Sequence, residues 1–146
     1  MAGVLIDTNV IGGIFARHPL VLENAVSYRK GGLRFLLSPV VYFEYRRSLL
    51  DRGRDTDGRA RSFDRFVEQE CEWIDVDQGV AAKAAWIWSY FAGSRVPDAD
   101  LLIAATGLAA RLPVATRNRR HLVRFGVEVQ DWFERPTRVI RTRPIR

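Results

Sequence analysis

Gly3-Val4-Leu5-Ile6-Asp7-Thr8-Asn9-Val10 is the stretch that sets the frame. A short apolar run that stops at an acid reads as a buried strand. The polar residues behind it supply a helix start, with Thr8 or Asn9 capping a helix through about Ala16. A strand without alternation is covered on both faces, and a helix following at once makes it the first strand of a parallel α/β sheet.

The same grammar continues outward. A helix over Leu20 to Arg29 ends at Gly31-Gly32, and a strand follows over Leu33 to Leu37. Ser38-Pro39 pairs a good N-cap with a residue whose missing N–H costs nothing in the first turn. That helix carries Val40, Val41, Phe43, Leu49 and Leu50 and stops near Gly53, before a polar stretch from Arg54 to Arg61. Phe63, Phe66 and Val67 fall at helical spacing, and Trp73 to Val76 reads as a strand. Asp77 caps a helix bearing Val80, Ala84, Ile87, Trp88 and Phe91, and Pro97-Asp98 opens a strongly apolar one with Asp98 as cap. Pro113 to Thr116, Arg119 to Phe125 and Val127 to Val129 complete the chain as strand, helix and strand, with Gly126 ending the helix. The order β-α-α-β-α-α-β-α-α-β-α-β predicts one parallel sheet with helices on both faces. Ligands of such folds bind outside the carboxyl ends of the strands, where Asp7 and Asn118 fall.

The chain of 146 residues is one domain's worth of sequence, and its 47% hydrophobic content is enough for a core without metal or disulfide staples. Cys71 is the only cysteine, which excludes an internal disulfide and a Cys-rich zinc site, and a lone Cys is expected to be buried and inert. The net charge is +6, and Lys occurs only at Lys30 and Lys83, so Arg supplies nearly all of the positive charge. That balance favours a polyanionic or acidic partner. No stretch approaches the ~18 apolar residues of a membrane span, and the N-terminus lacks a basic leader pattern. A cytoplasmic protein with no membrane partner is expected.

The acids embedded in apolar sequence carry the chemistry. Asp7 follows Val4-Leu5-Ile6, Glu44 sits within Val40-Val41-Tyr42-Phe43-Glu44-Tyr45, and Asp100 opens Leu101-Leu102-Ile103-Ala104-Ala105. A carboxylate beside a core is costly unless it is paired, hydrogen-bonded or bound to a cation. Each has a plainer reading: Asp7 as a helix cap, Glu44 as a surface residue paired with Arg47, Asp100 as a first-turn acid favoured by the macrodipole. Together they share one solution, a divalent cation with oxygen ligands.

The chain resembles the PIN-domain ribonucleases, in particular the VapC-type toxins of bacterial toxin–antitoxin pairs. The resemblance rests on Leu5-Ile6-Asp7-Thr8-Asn9-Val10, on Phe43-Glu44, on Asp98-Ala99-Asp100-Leu101-Leu102-Ile103-Ala104-Ala105-Thr106 and on Ala115-Thr116-Arg117-Asn118, with Asp131-Trp132 beyond. It spans about residues 1–133, which it marks as a PIN-like nuclease domain followed by a basic tail over 134–146. It implies a three-layer α/β fold around about five short strands. It also implies a Mg²⁺- or Mn²⁺-dependent endoribonuclease that hydrolyses RNA through metal-activated water, with Asp7, Glu44 and Asp100 as catalytic and metal-binding residues. Either Glu44 or Asp100 would take the proton. Asn118 stands where some members have a fourth Asp, which weakens a two-metal arrangement. Asp98, Thr8 and Thr116 are auxiliary candidates, the threonines as hydrogen-bond donors to a carboxylate or a bound water. Arg46, Arg47 and Arg117 are candidates for RNA phosphates, while most Arg are expected in solvent or surface pairs. His18 and His121 are expected on the surface or in loops, outside the chemistry.

The resemblance further implies a homodimer and a cognate antitoxin. Trp73, Trp86, Trp88 and Trp132 read as core or interface residues, and surplus apolar surface near Trp86 and Trp88 would suit either partner. The alternatives are a PIN nuclease with a non-toxin RNA-processing role and a catalytically impaired module that binds RNA or protein. A phosphate-loop protein is excluded, because Gly12-Gly13 lacks the Lys and the spacing.

Overall fold

The computed structural model describes residues 3–51, 58–91 and 95–135. Five strands form one sheet: β1 (Gly3–Ile6), β2 (Arg34–Leu37), β3 (Cys71–Trp73), β4 (Val114–Ala115) and β5 (Val129–Gln130). Their order is β3-β2-β1-β4-β5, and every neighbouring pair is parallel. The helices are α1 (Thr8–Phe15), α2 (Pro19–Lys30), α3 (Pro39–Leu50), α4 (Arg59–Glu70), α5 (Gln78–Tyr90), α6 (Asp98–Ala110) and α7 (Arg119–Val123). This is the α/β architecture expected from the sequence.

β1 lies at the centre because every residue in it is apolar and buried. Successive side chains of a strand point to opposite faces, so Val4, Leu5 and Ile6 report that both faces are covered. The chain leaves β1 toward β2 and β3, then crosses back to β4 and β5 on the other side. Parallel connections are right-handed, so the helices before and after that reversal cover opposite faces. The packing follows: α1 touches α2 and α3, and α3 touches α4, while α5 pairs with α6 and α6 with α7. A further contact, α3 against α6, joins the two groups. Gly107 lets α6 lie flat on the sheet, since a Cβ there would meet Val127 at 2.8 Å and Val114 at 2.9 Å. Trp132 closes the core beyond β5 against Tyr28 and Phe35.

Several boundaries differ from the sequence reading. Asp7 itself, with extended backbone, is the N-cap of α1, because the helix follows the strand without an intervening residue. Pro97 is the last extended residue before α6, so Asp98 lies in the first turn beside Asp100 and is not the cap. β3 runs over Cys71–Trp73 and not Trp73–Val76. Its register pairs Leu37 with Trp73, and β2 has nothing further to offer once Ser38 caps α3. β5 starts at Val129 and not Val127, because pairing begins where Glu128 accepts from the Val114 N–H while Val127 packs on Gly107. α7 ends at Val123, two residues short of Phe125.

Ser38 and Asp77 cap their helices as expected, accepting from Val40 N at 3.2 Å and Val80 N at 2.9 Å. No helix among the described residues is long and apolar enough to cross a membrane. The polar stretch over 52–57 and the Arg-rich segment over 136–146 lie outside the described residues.

Candidate active site

The strand order reverses between β1 and β4, and a crevice opens at the carboxyl ends of strands where that happens. Asp7 follows β1 and Thr116 follows β4, so the two flank this point. Thr116 Oγ1 donates to Asp7 Oδ2 at 2.6 Å, and the Thr8 N–H donates to Oδ1 at 2.7 Å. Asp7 is only 3% exposed. Thr116, fully buried, also accepts from the Asn118 N–H at 3.0 Å and from Asn9 Nδ2 at 3.4 Å. Asn9 Oδ1 in turn accepts from the Arg117 N–H at 3.0 Å. The 116–118 turn is thereby stitched to the first turn of α1.

The helices bring the other acids. Glu44, half-buried on α3, accepts from Thr8 Oγ1 at 3.2 Å. Asp100, nearly buried in the first turn of α6, has Oδ2 at 3.6 Å from His121 Nδ1. α3 packs on both α1 and α6, which is what carries Glu44 toward the strand end and the Asp100 helix. The Asp7 carboxyl holds its proton above the usual carboxylate range. Desolvation is the main cause, and the negative charges of Asp100 and Glu44 add to it against the opposing bonds from Thr116 and Thr8. Among the described residues no group of three His, Cys, Asp or Glu side chains is drawn into a ready-made metal cluster.

The remaining candidates divide. Asn118 presents its backbone N–H to Thr116, while its side chain is exposed and caps nothing. Asp98 is exposed and borders a groove with Ala84, Trp88 and Leu101. Arg46 is bound by Asp64, which also accepts from Tyr42 Oη at 2.8 Å. Arg47 and Arg117 are exposed and rest on aromatic rings, Arg47 at 4.9 Å from the Phe43 centroid and Arg117 at 4.4 Å from that of Phe133. His121 is the residue that sequence reasoning missed. It is exposed as expected, yet it faces Asp100 from the α7 turn that starts just past Asn118. Its position three residues beyond Asn118, one helical turn on, is the signal that could have drawn attention to it. His18 lies against Phe133, 5.0 Å between ring centroids.

The fold is that of an α/β domain with acids gathered at the point where its strand order reverses. The PIN-domain family model matches residues 4–127, and the chain belongs to that family, whose members are generally nucleases. Among solved structures it is similar to DNA-bound VapBC from Salmonella typhimurium, with 23% identity over 90% of this chain and 99% of that one and a TM-score of 0.75. FitAcB from Neisseria gonorrhoeae shares 26% identity over 89% and 98% of the two chains, with a TM-score of 0.66. A toxin–antitoxin complex from Klebsiella pneumoniae shares 17% identity over 90% and 99%, with a TM-score of 0.69. No curated protein sequence matches the chain.

Proposed function

We propose that the chain is a divalent-metal-dependent endoribonuclease acting as the toxin of a toxin–antitoxin pair. The observation that carries this reading is Asp7, buried at the carboxyl end of the central strand with two further carboxylates pressing on its charge. Burial and like charge both disfavour its anion, and one bound cation relieves both. The donor set is all oxygen, which suits Mg²⁺ or Mn²⁺. Such an ion keeps several waters and needs one or two carboxylates, so an open rim serves it better than a closed cage. Asp7 and Asp100 would hold it, with Glu44 alongside. When bound, it supplies Lewis-acid stabilisation of charge on the phosphate and makes water acidic enough to attack at neutral pH.

The chain's own groups do the rest. Thr116 and the Thr8 N–H fix the Asp7 oxygens, and Thr8 Oγ1 orients Glu44. Glu44 or Asp100 accepts the proton of the attacking water. Arg47 and Arg117 meet the RNA backbone, and the +6 charge gathers the polyanion. Arg46, held by Asp64, has less to give the substrate. Asn118 supplies no charge to a second cation, which favours one. The similarity to VapBC and to a toxin–antitoxin complex supports an antitoxin partner for this chain. The exposed Trp86, Trp88 and Tyr90 of α5 provide surface for a homodimer.

The test pairs RNA cleavage in Mg²⁺, Mn²⁺ or EDTA with thermal melting in the same buffers, for wild type, Asp7→Asn and Asp100→Asn. Metal-dependent cleavage lost in both variants, with a metal-induced rise in melting temperature seen only in wild type, is expected. Cleavage in EDTA, or full activity in both variants, overturns the reading. RNA binding without cleavage in any metal points to the impaired module.

A further inference from the structure

Phe43 is an anomaly: a phenyl ring 59% exposed, one residue before the candidate active-site Glu44. It lines a surface groove of about 830 Å³ together with Tyr42, Glu44, Arg46, Arg47 and Leu50. Arg47 lies over the Phe43 ring at 4.9 Å, yet the exposure leaves much of the ring open to solvent. Glu44 lines this groove and also accepts from Thr8 Oγ1 beside Asp7, so the groove borders the candidate active site at that residue.

We propose that Phe43 and Arg47 form a nucleobase subsite that seats one unpaired base of single-stranded RNA next to the bond that is cut. This rests on the ribonuclease reading above and assigns two residues outside the acids to its substrate contacts. An open aromatic face takes any base by stacking, and a guanidinium anchored on that ring reaches the adjoining phosphate. The pairing of ring and cation is what singles out a nucleotide over an apolar helix, which has no use for the charge. The exposed aromatics on α5 offer a contrast. Trp86 stacks on Tyr90 and Trp88 borders Asp98, so that surface places an acid, and not a cation, beside its ring. A base in a duplex is already stacked on both sides and cannot use Phe43.

The test is fluorescence-anisotropy binding in EDTA, which separates binding from cleavage. The probes are a labelled oligoadenylate, the same strand with abasic positions, and the matched duplex. Phe43→Leu is expected to weaken oligoadenylate binding about 10-fold, as loss of one stacked base does. It should leave the abasic strand and the duplex unchanged, and Phe43→Trp should restore affinity. Arg47→Gln should lower the salt-dependence slope by about 0.7, the share of one phosphate contact on a single strand. Unchanged oligoadenylate binding by Phe43→Leu, or an equal loss on the abasic strand, overturns the subsite. Light scattering showing altered assembly with RNA affinity intact overturns it in favour of a protein interface. Wild type that binds no RNA in EDTA and cleaves none in Mg²⁺ or Mn²⁺ fails the ribonuclease reading itself, a result distinct from the others.

Discussion

Asp7 and Glu44 are two acids of the candidate site, held in opposite ways. Asp7 ends a strand, is almost wholly buried, and has each oxygen fixed by a donor that the fold itself positions. Glu44 sits mid-helix, half-buried, and takes a longer bond from a threonine hydroxyl. The difference separates two jobs. The strand-end acid is part of the architecture, and its surroundings set its charge. The helix acid has one donor and an open side, and it shares its surface with the groove around Phe43 and Arg47.

The sharpest way to break this contrast is Asp7→Asn. Cleavage should fall by about 10²–10³, the range lost when one transition-state contact is removed, while stability should rise at neutral pH. The sign follows from linkage. The folded carboxyl holds its proton to higher pH than the unfolded one, because burial and its acidic neighbours disfavour the anion. Protonation therefore favours the fold: the contribution is complete below the ordinary carboxylate pKa and is lost as pH rises through the raised one. In metal-free buffer, the melting-temperature difference between Asp7→Asn and wild type should widen across that interval. A difference that stays flat with pH contradicts the role given to burial.

Thr116→Val comes next. It strips Asp7 Oδ2 of its donor and the Asn118 N–H of its acceptor, and should cost about 1–3 kcal/mol in urea unfolding, with Thr116→Ser recovering most of it. Thr8→Val touches the helix acid instead. Stability should move by no more than about 0.5 kcal/mol, and kcat should fall about 10-fold as for a group that orients another. If the two threonine variants behave alike, the division between fixed and adjustable acids fails. The smallest effect is expected at Cys71, whose thiol burial pushes up to about 12, away from the site. In native protein at pH 8 it should react with a disulfide reagent about 10³-fold more slowly than in the unfolded chain, and alkylation attempts should leave cleavage unchanged.

Much of this contrast was legible in the sequence, for reasons specific to each residue. Val4-Leu5-Ile6-Asp7 announces a buried strand and an acid at its end with nothing else required. Ser38-Pro39 fixes the start of α3 equally well, because capping is a local matter of backbone donors. The edges of the sheet were misjudged because their lengths are set by partners: β3 stops where β2 stops, and β5 starts where β4 can pair. The same limit applies to the site. Asp7, Glu44 and Asp100 stand out as acids in apolar sequence, but no local pattern says that Arg46 is held by Asp64 or that His121 faces Asp100. Those are facts of helix packing between distant segments.

The hydrogen bond from Thr116 to Asp7 joins residues 109 positions apart. Asp7 follows the first strand of the sheet, yet its second donor follows the fourth of the five. Parallel strands joined by long crossovers fold late, because chain entropy must be spent before distant pairing returns anything. Asp7 thus lacks its Thr116 donor until the long crossovers between the strands have closed. The carboxyl at the end of the central strand is therefore completed by one of the last pairings the sheet makes, and its environment depends on the whole sheet being assembled.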